Sequence, residues 1–300
     1  PLLIKAVAGG GGKGMKRVDR AGDLAAQLDM AMAEAEAAFG DGRVYLERFV
    51  TRGRHVEVQI ISDGATVLHA GERDCSIQRR YQKVVEEAPA PGLAPGLRAG
   101  LLQAATGYAR HIGYRSLGTV EFLVDVDRGE FYFLEMNARI QVEHPVTEAV
   151  TGLDLIAVQI AIAEGQPLAL RQEDITTHGH AIECRLNAED VAAGFRPSPG
   201  RVTQVWFPSL PGLRVDTHMQ PGAMIPPHYD SMVAKLIAHG ETRDQAIALM
   251  ARALRVMVLD GVATNAPLHR AIMADPDFAA GGVDTNYLGG LLPQLAGGMP

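Results

Sequence analysis

Residues 135–145 bring together side chains that could carry out acid–base, metal-binding and anion-binding chemistry. They read Glu-Met-Asn-Ala-Arg-Ile-Gln-Val-Glu-His-Pro and follow an apolar, strand-like segment at residues 131–134. In an extended chain, alternate side chains point to opposite faces, so the apolar ones would anchor one face. The opposite face would carry the polar set Glu135, Asn137, Arg139, Gln141 and Glu143. The stretch predicts a functional face, and a solvent-exposed polar surface is the alternative that it leaves open.

A second carboxylate is predicted to meet this stretch across a β-hairpin. Strand-like segments flank residues 127–129, a short turn that ends in glycine. In the simplest register Val126 pairs with Glu130, so Glu121 faces Glu135, although a bulge would shift this pairing by one residue. Like charges that face each other destabilise a sheet, and a bridging divalent cation removes that penalty. Carboxylate oxygens suit Mg²⁺ bound together with phosphates, so the hairpin predicts a magnesium site.

A glycine-rich loop near the N-terminus is the second stretch that could bind a ligand. Residues 9–14, Gly-Gly-Gly-Gly-Lys-Gly, follow a short apolar strand that carries Lys5. Glycine lets backbone amides approach and cradle phosphate oxygens. The residues after the loop read as a strand and not as a Rossmann helix, and Lys13 precedes Gly14 where a Walker loop needs serine or threonine. We therefore predict a flexible flap over phosphates, with a disordered linker as the alternative.

Composition and charge narrow the class of protein. Acidic residues outnumber basic ones by 35 to 28 in 300 residues, which disfavours a nucleic-acid-binding surface. The sequence shows no long apolar run typical of a membrane span and no secretory signal. Two widely separated cysteines, Cys75 and Cys184, fit a reducing compartment, so we expect a cytoplasmic protein. Because the chain begins inside a predicted strand, we also expect further sequence before Pro1.

Hydrophobic periodicity predicts an α+β fold in which antiparallel hairpins dominate. An alanine-rich helix is expected to begin near Asp23 and to end at Gly40. Further helices are predicted at residues 95–113, 154–163 and 243–254. Strands are predicted at residues 1–8, 44–50, 54–61, 66–70 and 179–187, with shorter ones within 195–204 and 206–223. The glycine- and proline-rich tail, residues 289–300, is expected to be frayed.

Two further charged segments have interpretations that the residues alone leave open. Residues 72–89 mix acidic and basic side chains, which either form structural ion pairs or line an anion site. In the strand at residues 179–187, Glu183 and Arg185 share a face, so the arginine is either held rigid for binding or engaged in a plain ion pair. Zinc binding by the histidines and the cysteine of residues 178–184 is disfavoured, because their spacing fits no standard site.

Several motifs, taken in this order, give the chain a resemblance to a known family. They are Lys5 with the glycine loop, Arg-Asp-Cys-Ser-Ile-Gln-Arg-Arg at residues 73–80 with Lys83, residues 135–147, and Glu-Cys-Arg-Leu-Asn-Ala-Glu-Asp at residues 183–190. Together they resemble biotin carboxylase, the ATP-grasp component of biotin-dependent carboxylases, and the resemblance covers residues 1–288. Motifs of this length in this order are highly specific, whereas a single glycine loop is not.

The resemblance implies an α+β fold of the ATP-grasp type. A partial lid domain with the glycine-rich flap would occupy residues 1–50. A large antiparallel-sheet domain, the ATP-grasp core, together with a biotin carboxylase C-terminal domain would occupy residues 51–300. The N-terminal pre-ATP-grasp domain of the family is expected to lie before Pro1 and to be absent from this chain.

The resemblance also implies a role for each matching site residue. ATP would be bound by Lys5, Gly9, Gly10, Gly11, Gly12, Gly14, Glu47, Arg48, Val50, His55, Gln78 and Tyr81. Magnesium would be bound by Glu121, Glu135 and Asn137. Bicarbonate and biotin would be bound by Lys83, Arg139, Gln141, Val142, Glu143 and Arg185. Within that set Glu143 would be the general base, Arg185 would face the biotin ureido oxygen, and Lys83 and Arg139 would complete the catalytic group.

The implied reaction is ATP- and bicarbonate-dependent carboxylation of biotin through carboxyphosphate, as the first half-reaction of acetyl-CoA carboxylase in fatty acid synthesis. Its cofactors and substrates would be ATP, Mg²⁺ or Mn²⁺, bicarbonate, and biotin on a separate carrier, because the sequence lacks the biotin-attachment motif Ala-Met-Lys-Met. The expected partners are a biotin carboxyl carrier protein, carboxyltransferase subunits and a second copy in a homodimer. Neither nucleic acid nor a membrane is expected as a partner.

Some alternatives remain within and beyond this family. The chain could instead serve propionyl-CoA, methylcrotonyl-CoA or pyruvate carboxylase, or it could be a nucleotide-binding module without turnover. A different ATP-grasp ligase would share the metal hairpin but would not need the bicarbonate and biotin residues. The sequence departs from the family at Tyr81, where many members have histidine, and at Pro211, which replaces an aromatic residue close to Arg214 at the expected dimer contact.

Overall fold

The first fifty residues build a small antiparallel sheet with one helix packed on it. In the computed structural model, which describes residues 1–9 and 14–296, its elements are β1 (Leu2–Ala6), β2 (Met15–Val18), α1 (Leu24–Phe39) and β3 (Val44–Arg48), with the sheet order β2-β1-β3. Helix α1 follows Asp23 and ends at Gly40, whose φ of 68° lies in the left-handed region that suits glycine. The sequence predicted both ends of this helix. Gly10, Gly11 and Gly12 of the predicted flap lie outside the described residues.

The remaining described residues form strands and helices, and most of the longer strands belong to one large sheet. Residues 53–163 contain β4 (Gly53–Asp63), β5 (Val67–Arg79), β6 (Gln82–Ala88), α2 (Pro95–His111), β7 (Arg115–Asp125), β8 (Glu130–Asn137), α3 (His144–Thr151) and α4 (Leu155–Ala163). Residues 180–225 contain β9 (His180–Asn187), β10 (Glu189–Asp190), β11 (Arg196–Pro197), β12 (Gly200–Arg201), β13 (Gln204–Trp206), β14 (Leu213–Thr217) and β15 (Met224–Ile225). Residues 232–296 contain β16 (Met232–Gly240), α5 (Arg243–Val256), β17 (Val258–Asp260), α6 (Ala266–Ala274), α7 (Pro276–Ala280) and α8 (Tyr287–Ala296).

The large sheet has eight antiparallel strands in the order β14-β16-β9-β6-β5-β4-β7-β8. The clean alternation along β4 divides its side chains between the two faces of the sheet. Val56, Val58 and Ile60 pack with α2 in one apolar cluster, while Glu57 and Gln59 point to the opposite face. The predicted α+β class with dominant antiparallel hairpins is confirmed.

Helices from the C-terminal half cover the other end of this sheet. Apolar side chains of β9 and β16 pack against α5, α6 and α8 in the largest core cluster, which includes Cys184 and Leu186. Because neighbours along a strand alternate, Glu183 and Arg185 of β9 then lie on the opposite face, which is the same polar side of the sheet as Glu57. Helix α3 packs on that face through Val146 and a small apolar cluster.

The hairpin β7–β8 differs from the predicted register near its turn, yet it keeps the predicted pairing at the site. Asp125 pairs with Glu130, so the turn is one residue longer than expected. A bulge at Leu134 in β8 absorbs the extra residue, because the register shifts between Glu121 and the residue that follows it. Beyond the bulge Glu121 faces Glu135, as predicted.

Two other expectations about local structure are wrong. Residues 135–143 would share a polar face only in a chain that stays extended, but β8 ends at Asn137 and α3 begins at His144, where Pro145 is well placed in the first turn of a helix. Of the tail predicted to be frayed, residues 289–296 belong to α8, whose Leu288 and Leu291 are buried in the core of the C-terminal half, and residues 297–300 lie outside the described residues. Burial of apolar side chains therefore outweighs the weak helix propensity of the glycines and the proline in α8.

Among the described residues, no helix by itself has the length and apolar character needed to cross a bilayer. Helices α3 and α4 meet that test only when taken together, and the chain bends by 102° between them.

Candidate functional site

The polar face of the large sheet carries a buried cluster of ion pairs centred on Lys83. Its Nζ lies 2.5 Å from Glu57 Oε2, 2.6 Å from Glu143 Oε1 and 3.0 Å from Glu121 Oε1. These residues belong to β4, β6, β7 and the residue that precedes α3, so four separate parts of the chain meet at one ammonium. Sequence motifs pointed to Lys83, Glu121 and Glu143 as site residues, but no motif pointed to Glu57.

Burial and charge act in opposite directions on the pKa values of this cluster. Burial favours the neutral form of Glu57, but Lys83 and Arg73 outweigh it and lower the pKa of Glu57 to about 2. The pKa of Glu121 is lowered as well, because His55 and Lys83 outweigh its burial. Burial would lower the pKa of Lys83, but Glu57 and the other acidic groups around it raise that pKa above its usual value. Lys83 is therefore a cation throughout the physiological pH range.

Arg73 lies beneath this cluster and is fully buried. Its Nε donates to Glu57 Oε1 at 2.6 Å. Its terminal nitrogens donate to four further side-chain oxygens at 2.8–3.2 Å, on Gln59, Thr119, Gln141 and Thr147. Every one of these contacts is internal, so Arg73 supports the site and does not offer its charge to a ligand. For this residue the question left open by the charged segment 72–89 is settled in favour of a structural ion pair.

Arg185 lies on β9 between two carboxylates. Its Nε donates to Glu86 Oε1 at 2.5 Å, and its Nη2 donates to Glu143 Oε2 at 2.8 Å. The expected partner, Glu183, is two residues away on the same strand, a separation of roughly 7 Å, whereas Glu86 projects from the neighbouring strand β6. The expectation that Glu183 holds Arg185 directly is therefore wrong. Glu143 accepts hydrogen bonds from both Lys83 and Arg185, which makes it the meeting point of the site.

The predicted metal-binding residues lie together at the end of the β7–β8 hairpin. Asn137 Nδ2 donates to Glu121 Oε1 at 3.0 Å and to Glu135 Oε1 at 3.2 Å, so one amide bridges the two facing carboxylates. Two carboxylates and an amide oxygen are hard ligands that fit Mg²⁺, provided that the amide of Asn137 turns its oxygen toward the ion. Glu121 is buried and Glu135 is exposed, so the candidate cation site that they would form opens to solvent on one side.

A second group of possible metal ligands is formed by His55, Glu57 and Glu121, whose ligand atoms lie within 4.8 Å of one another. The Lys83 ammonium already binds both carboxylates of this group and neutralises them. Gln78 Nε2 lies 2.5 Å from His55 Nδ1, and His55 Nε2 lies 2.9 Å from Glu121 Oε2. Glu121 belongs to both groups, and the hairpin group differs in its second carboxylate, Glu135, which is exposed and therefore open to a cation from solvent.

The loop between β8 and α3 places the predicted anion-binding residues. Gln141 is buried, accepts from Arg73 and donates to Glu121 at 2.7 Å, so its amide spans the two halves of the cluster. Arg139 is exposed, and its guanidinium donates to Asn137 Oδ1 at 3.1 Å. The carbonyl oxygen of Val142 accepts a 2.6 Å hydrogen bond from Lys235, a residue of β16 that the sequence analysis did not single out.

The predicted nucleotide-binding residues are divided between the two sheets. Lys5 on β1 pairs with Glu47 on β3 at 3.2 Å, and both side chains are partly accessible. Arg48, at the end of β3, pairs with Asp125 of β7 at 3.1 Å and so connects the small sheet to the large one. Tyr81 is 61% exposed in the turn between β5 and β6.

The remaining predicted nucleotide-binding positions lie at the edges of these groups. Gly9 and Gly14 flank the residues left undescribed, and Val50 follows β3 in the connection to β4. His55 and Gln78 are brought together on the large sheet. Of the predicted nucleotide-binding residues, Lys5 therefore contacts Glu47 and His55 contacts Gln78. The other described ones lie apart from these two pairs.

Two family models match this chain. The model described as "Carbamoyl-phosphate synthase L chain, ATP binding domain" matches residues 1–171, and "Biotin carboxylase C-terminal domain" matches residues 183–290. The chain is 50% identical over 289 residues to "Biotin carboxylase" of Allochromatium vinosum, and these residues cover 96% of the chain and 64% of that relative. It is 50% identical to "Biotin carboxylase, chloroplastic" of Arabidopsis thaliana, covering 96% of the chain and 54% of that relative. The chain thus spans less than two thirds of the length of these curated relatives.

Solved structures resemble the fold closely. The biotin carboxylase domain dimer of the Hydrogenobacter thermophilus 2-oxoglutarate carboxylase, in complex with MgADP, ADP and bicarbonate, gives a TM-score of 0.92 at 43% identity, covering 100% of this chain and 66% of that one. Rhizobium etli pyruvate carboxylase gives a TM-score of 0.90 at 44% identity, covering 96% of this chain and 26% of that one.

Proposed function

This chain belongs to the biotin carboxylase family and has its ATP-grasp fold, and we propose that the protein carboxylates biotin at the expense of ATP and bicarbonate. The observation that carries this proposal is the position of Glu143. Its carboxylate accepts a hydrogen bond from Lys83 on one side and from Arg185 on the other. A base fixed between two cations suits a reaction in which one anion must lose a proton and another must be stabilised.

The first step activates bicarbonate, which is a poor nucleophile until it is deprotonated. Lys83, together with Arg139 and Gln141, would hold the anion beside Glu143 Oε1, which would accept its proton. The freed oxygen attacks the γ-phosphorus of ATP, the bond from that phosphorus to the bridging oxygen breaks, and carboxyphosphate and ADP result. The backbone of Val142 would also contact bicarbonate, and Lys235 holds its carbonyl oxygen.

The nucleotide and metal would be held by residues on both sheets. Lys5 and the flap glycines Gly9 and Gly14 would contact the phosphates, while Glu47 and His55 would lie near the ribose. Arg48, Val50, Gln78 and Tyr81 would surround the adenosine. Glu121, Glu135 and Asn137 would hold Mg²⁺, which when bound offsets the negative charge of the phosphate oxygens.

The second step transfers the carboxyl group to biotin. Carboxyphosphate separates into carbon dioxide and phosphate, and the phosphate removes the proton from the N1′ atom of biotin. That nitrogen forms its new bond to carbon dioxide, giving carboxybiotin. Arg185 would stabilise the negative charge on the ureido oxygen during this step, because its Nη2 can leave Glu143 while its Nε stays on Glu86.

The protein would act with a biotin carboxyl carrier protein and carboxyltransferase subunits, as the first half of acetyl-CoA carboxylase in the cytoplasm. Support comes from relatives named simply as biotin carboxylase. A role in pyruvate or another carboxylase is the runner-up, because similar solved structures include pyruvate and 2-oxoglutarate carboxylases. Residues 1–50 would form the lid, supported by their separate small core around Ile4, and a homodimer would form near Arg214.

The direct test is ADP release in the presence of Mg²⁺, ATP and bicarbonate, with and without free biotin. We expect release that depends on bicarbonate and increases with biotin, and that is lost in Glu143→Gln. If the chain alone is inactive, the assay is repeated on the chain joined to the additional length that its relatives carry. Bicarbonate-independent release in both forms would support a different ATP-grasp ligase, and nucleotide binding without release would support a non-catalytic module.

A further inference from the structure

Two buried carboxylates, Glu86 and Glu183, face each other across strands β6 and β9. Both side chains are fully buried. Within the described part of the chain, Glu86 Oε2 and both carboxylate oxygens of Glu183 have no hydrogen-bond partner. A buried, ionised carboxylate without a donor carries a large desolvation cost, and two facing negative charges repel each other. One proton held between the two carboxyl groups would relieve both problems.

The groups that surround Glu183 do not supply the missing hydrogen bonds. Arg185, on the same strand, gives its donors to Glu86 and Glu143. Nζ of Lys235, on β16, lies 3.9 Å from Glu183 Oε2, which is beyond hydrogen-bond range. It donates a 2.6 Å hydrogen bond to the carbonyl oxygen of Val142 instead.

Helix α3 packs over the same face but offers Glu183 no partner either. Its titratable side chains are His144 and Glu148, and these lie 3.8 Å from each other. Glu148 also accepts a 2.6 Å hydrogen bond from Arg214. Glu143 is a further carboxylate near Glu183, and its charge adds to the repulsion.

The direction of the pKa shifts agrees with this geometry. Burial, followed by the charge of Glu86, raises the pKa of Glu183 well above its usual value. Burial also raises the pKa of Glu86, to about 7, and Arg185 acts against that rise. The neighbouring acid Glu87 behaves in the opposite way, because His180 and Arg243 donate to it and its pKa is lowered despite burial.

We propose that Glu183 is a protonated carboxylic acid that donates its hydrogen to Glu86, and that this singly charged pair positions Arg185 for biotin. The inference deepens the proposed function and rests on it. In this arrangement Glu86 keeps one negative charge, which holds Nε of Arg185, while its second oxygen accepts the Glu183 hydrogen. Glu183 touches no substrate, so it is a positioning residue. Loss of its proton places a second negative charge beside the arginine and draws the guanidinium away from the ureido oxygen.

Infrared spectroscopy tests the protonation directly and needs no activity. We expect a carbonyl band of a buried protonated carboxylic acid in the wild-type protein near neutral pH, and the loss of that band in Glu183→Gln. Glu87→Gln is the matched control, because Glu87 is an adjacent buried acid that is ionised and fully paired. An identical spectrum in wild type and Glu183→Gln would overturn the proposal.

Stability against pH gives a second readout that is independent of catalysis. A carboxyl group whose folded pKa is raised takes up a proton on folding, so stability falls as the pH rises from the unfolded pKa toward the folded one. Glu183→Gln mimics the neutral acid and should weaken that fall, raising the unfolding temperature at about pH 8 relative to wild type. Glu87→Gln should instead lower it. A lower unfolding temperature in Glu183→Gln across this range would contradict the proposal.

The functional readout is the pH profile of kcat/KM for biotin. In wild type the value should fall as the pH rises and the pair loses its proton, whereas Glu183→Gln should lose this alkaline fall. Glu86→Gln removes the anchor of Arg185 and should raise KM for biotin about tenfold or more, the loss of one charge-assisted hydrogen bond. Absence of biotin carboxylation both in the chain and in its extended form would reject the proposed function, while activity with the same alkaline fall in Glu183→Gln would reject only this inference.

Discussion

Lys235 Nζ donates a 2.6 Å hydrogen bond to the carbonyl oxygen of Val142, which ties strand β16 to the loop that presents Glu143. The side chain of Lys235 is largely buried, and Asp216 lies 3.6 Å from the same nitrogen. Val142 and Glu143 share a peptide group, so this bond fixes the backbone on which the candidate base is mounted. The polar site of the large sheet is therefore held in place from the C-terminal half of the chain.

Replacing this lysine should loosen the loop. Lys235→Met keeps the apolar stem but removes the charged donor, a contact worth about 1.5–3 kcal/mol. We expect kcat/KM for bicarbonate to fall about tenfold or more, with a smaller change in the KM for ATP. Steady-state kinetics with each substrate varied in turn would measure this, and Lys235→Arg should restore part of the loss. Equal effects on both substrates would contradict a local role in the loop.

A variant without Arg73 should be less stable than wild type, because Glu57 would stay buried with one ionic partner fewer. Breaking a buried ion pair by removing one member typically costs about 3–5 kcal/mol. We expect Arg73→Met to lower the free energy of unfolding by about that amount in urea titrations. Arg171→Met, which removes an exposed ion pair with Asp174, is the matched control and should leave the midpoint unchanged. A similar midpoint for both variants would show that the buried network contributes little.

The contribution of Glu57 to the free energy of unfolding should decrease at acidic pH. Its pKa in the folded protein is lowered from 4.5 to about 2, so its stabilising effect is fully present above the unfolded pKa and is lost as the pH falls between these values. A shift of this size corresponds to roughly 3 kcal/mol. Urea unfolding of wild type and Glu57→Gln at several pH values should show a difference that shrinks as the pH decreases through this window. A difference independent of pH would mean that Glu57 acts through packing alone.

Magnesium binding should depend on the hairpin carboxylates. Glu135→Gln removes one charge from the pair that Asn137 bridges, so we expect about tenfold weaker Mg²⁺ binding in the presence of nucleotide. Isothermal titration with Mg²⁺ would measure the change. Glu130→Gln, at the other end of the same strand, removes an equal charge outside the site and should have no effect. If the two variants bind Mg²⁺ alike, the ion is held elsewhere.

The sequence predicted those parts of the fold and site that depend on local pattern. Alternation along β4 placed Glu57 and Gln59 on a common face, and the hairpin placed Glu121 opposite Glu135. It could not identify Glu57 or Glu86 as partners of Lys83 and Arg185, because these contacts join strands that are distant in the sequence. Such pairings depend on strand order, which no local pattern specifies.

The misassigned segments have different causes. Residues 138–143 continue the polar alternation of β8, but in the fold they form the loop that leads to α3. In the tail, glycine and proline indicated disorder, whereas the buried leucines of α8 decide the outcome. Local preference is weak compared with the burial of apolar side chains, so tertiary contacts override it in both segments.

The bulge at Leu134 also affects which insertions and deletions this hairpin can tolerate during evolution. It lies between the turn and the facing pair of Glu121 and Glu135, and it compensates for one residue in the turn. A deletion in the turn accompanied by loss of the bulge would leave those carboxylates opposite each other. The number of residues between the turn and the bulge can therefore change while Glu121 and Glu135 stay paired. The hairpin tip is a place where lineages could gain or lose a residue, and where a label or peptide could be inserted, without disturbing the candidate metal ligands.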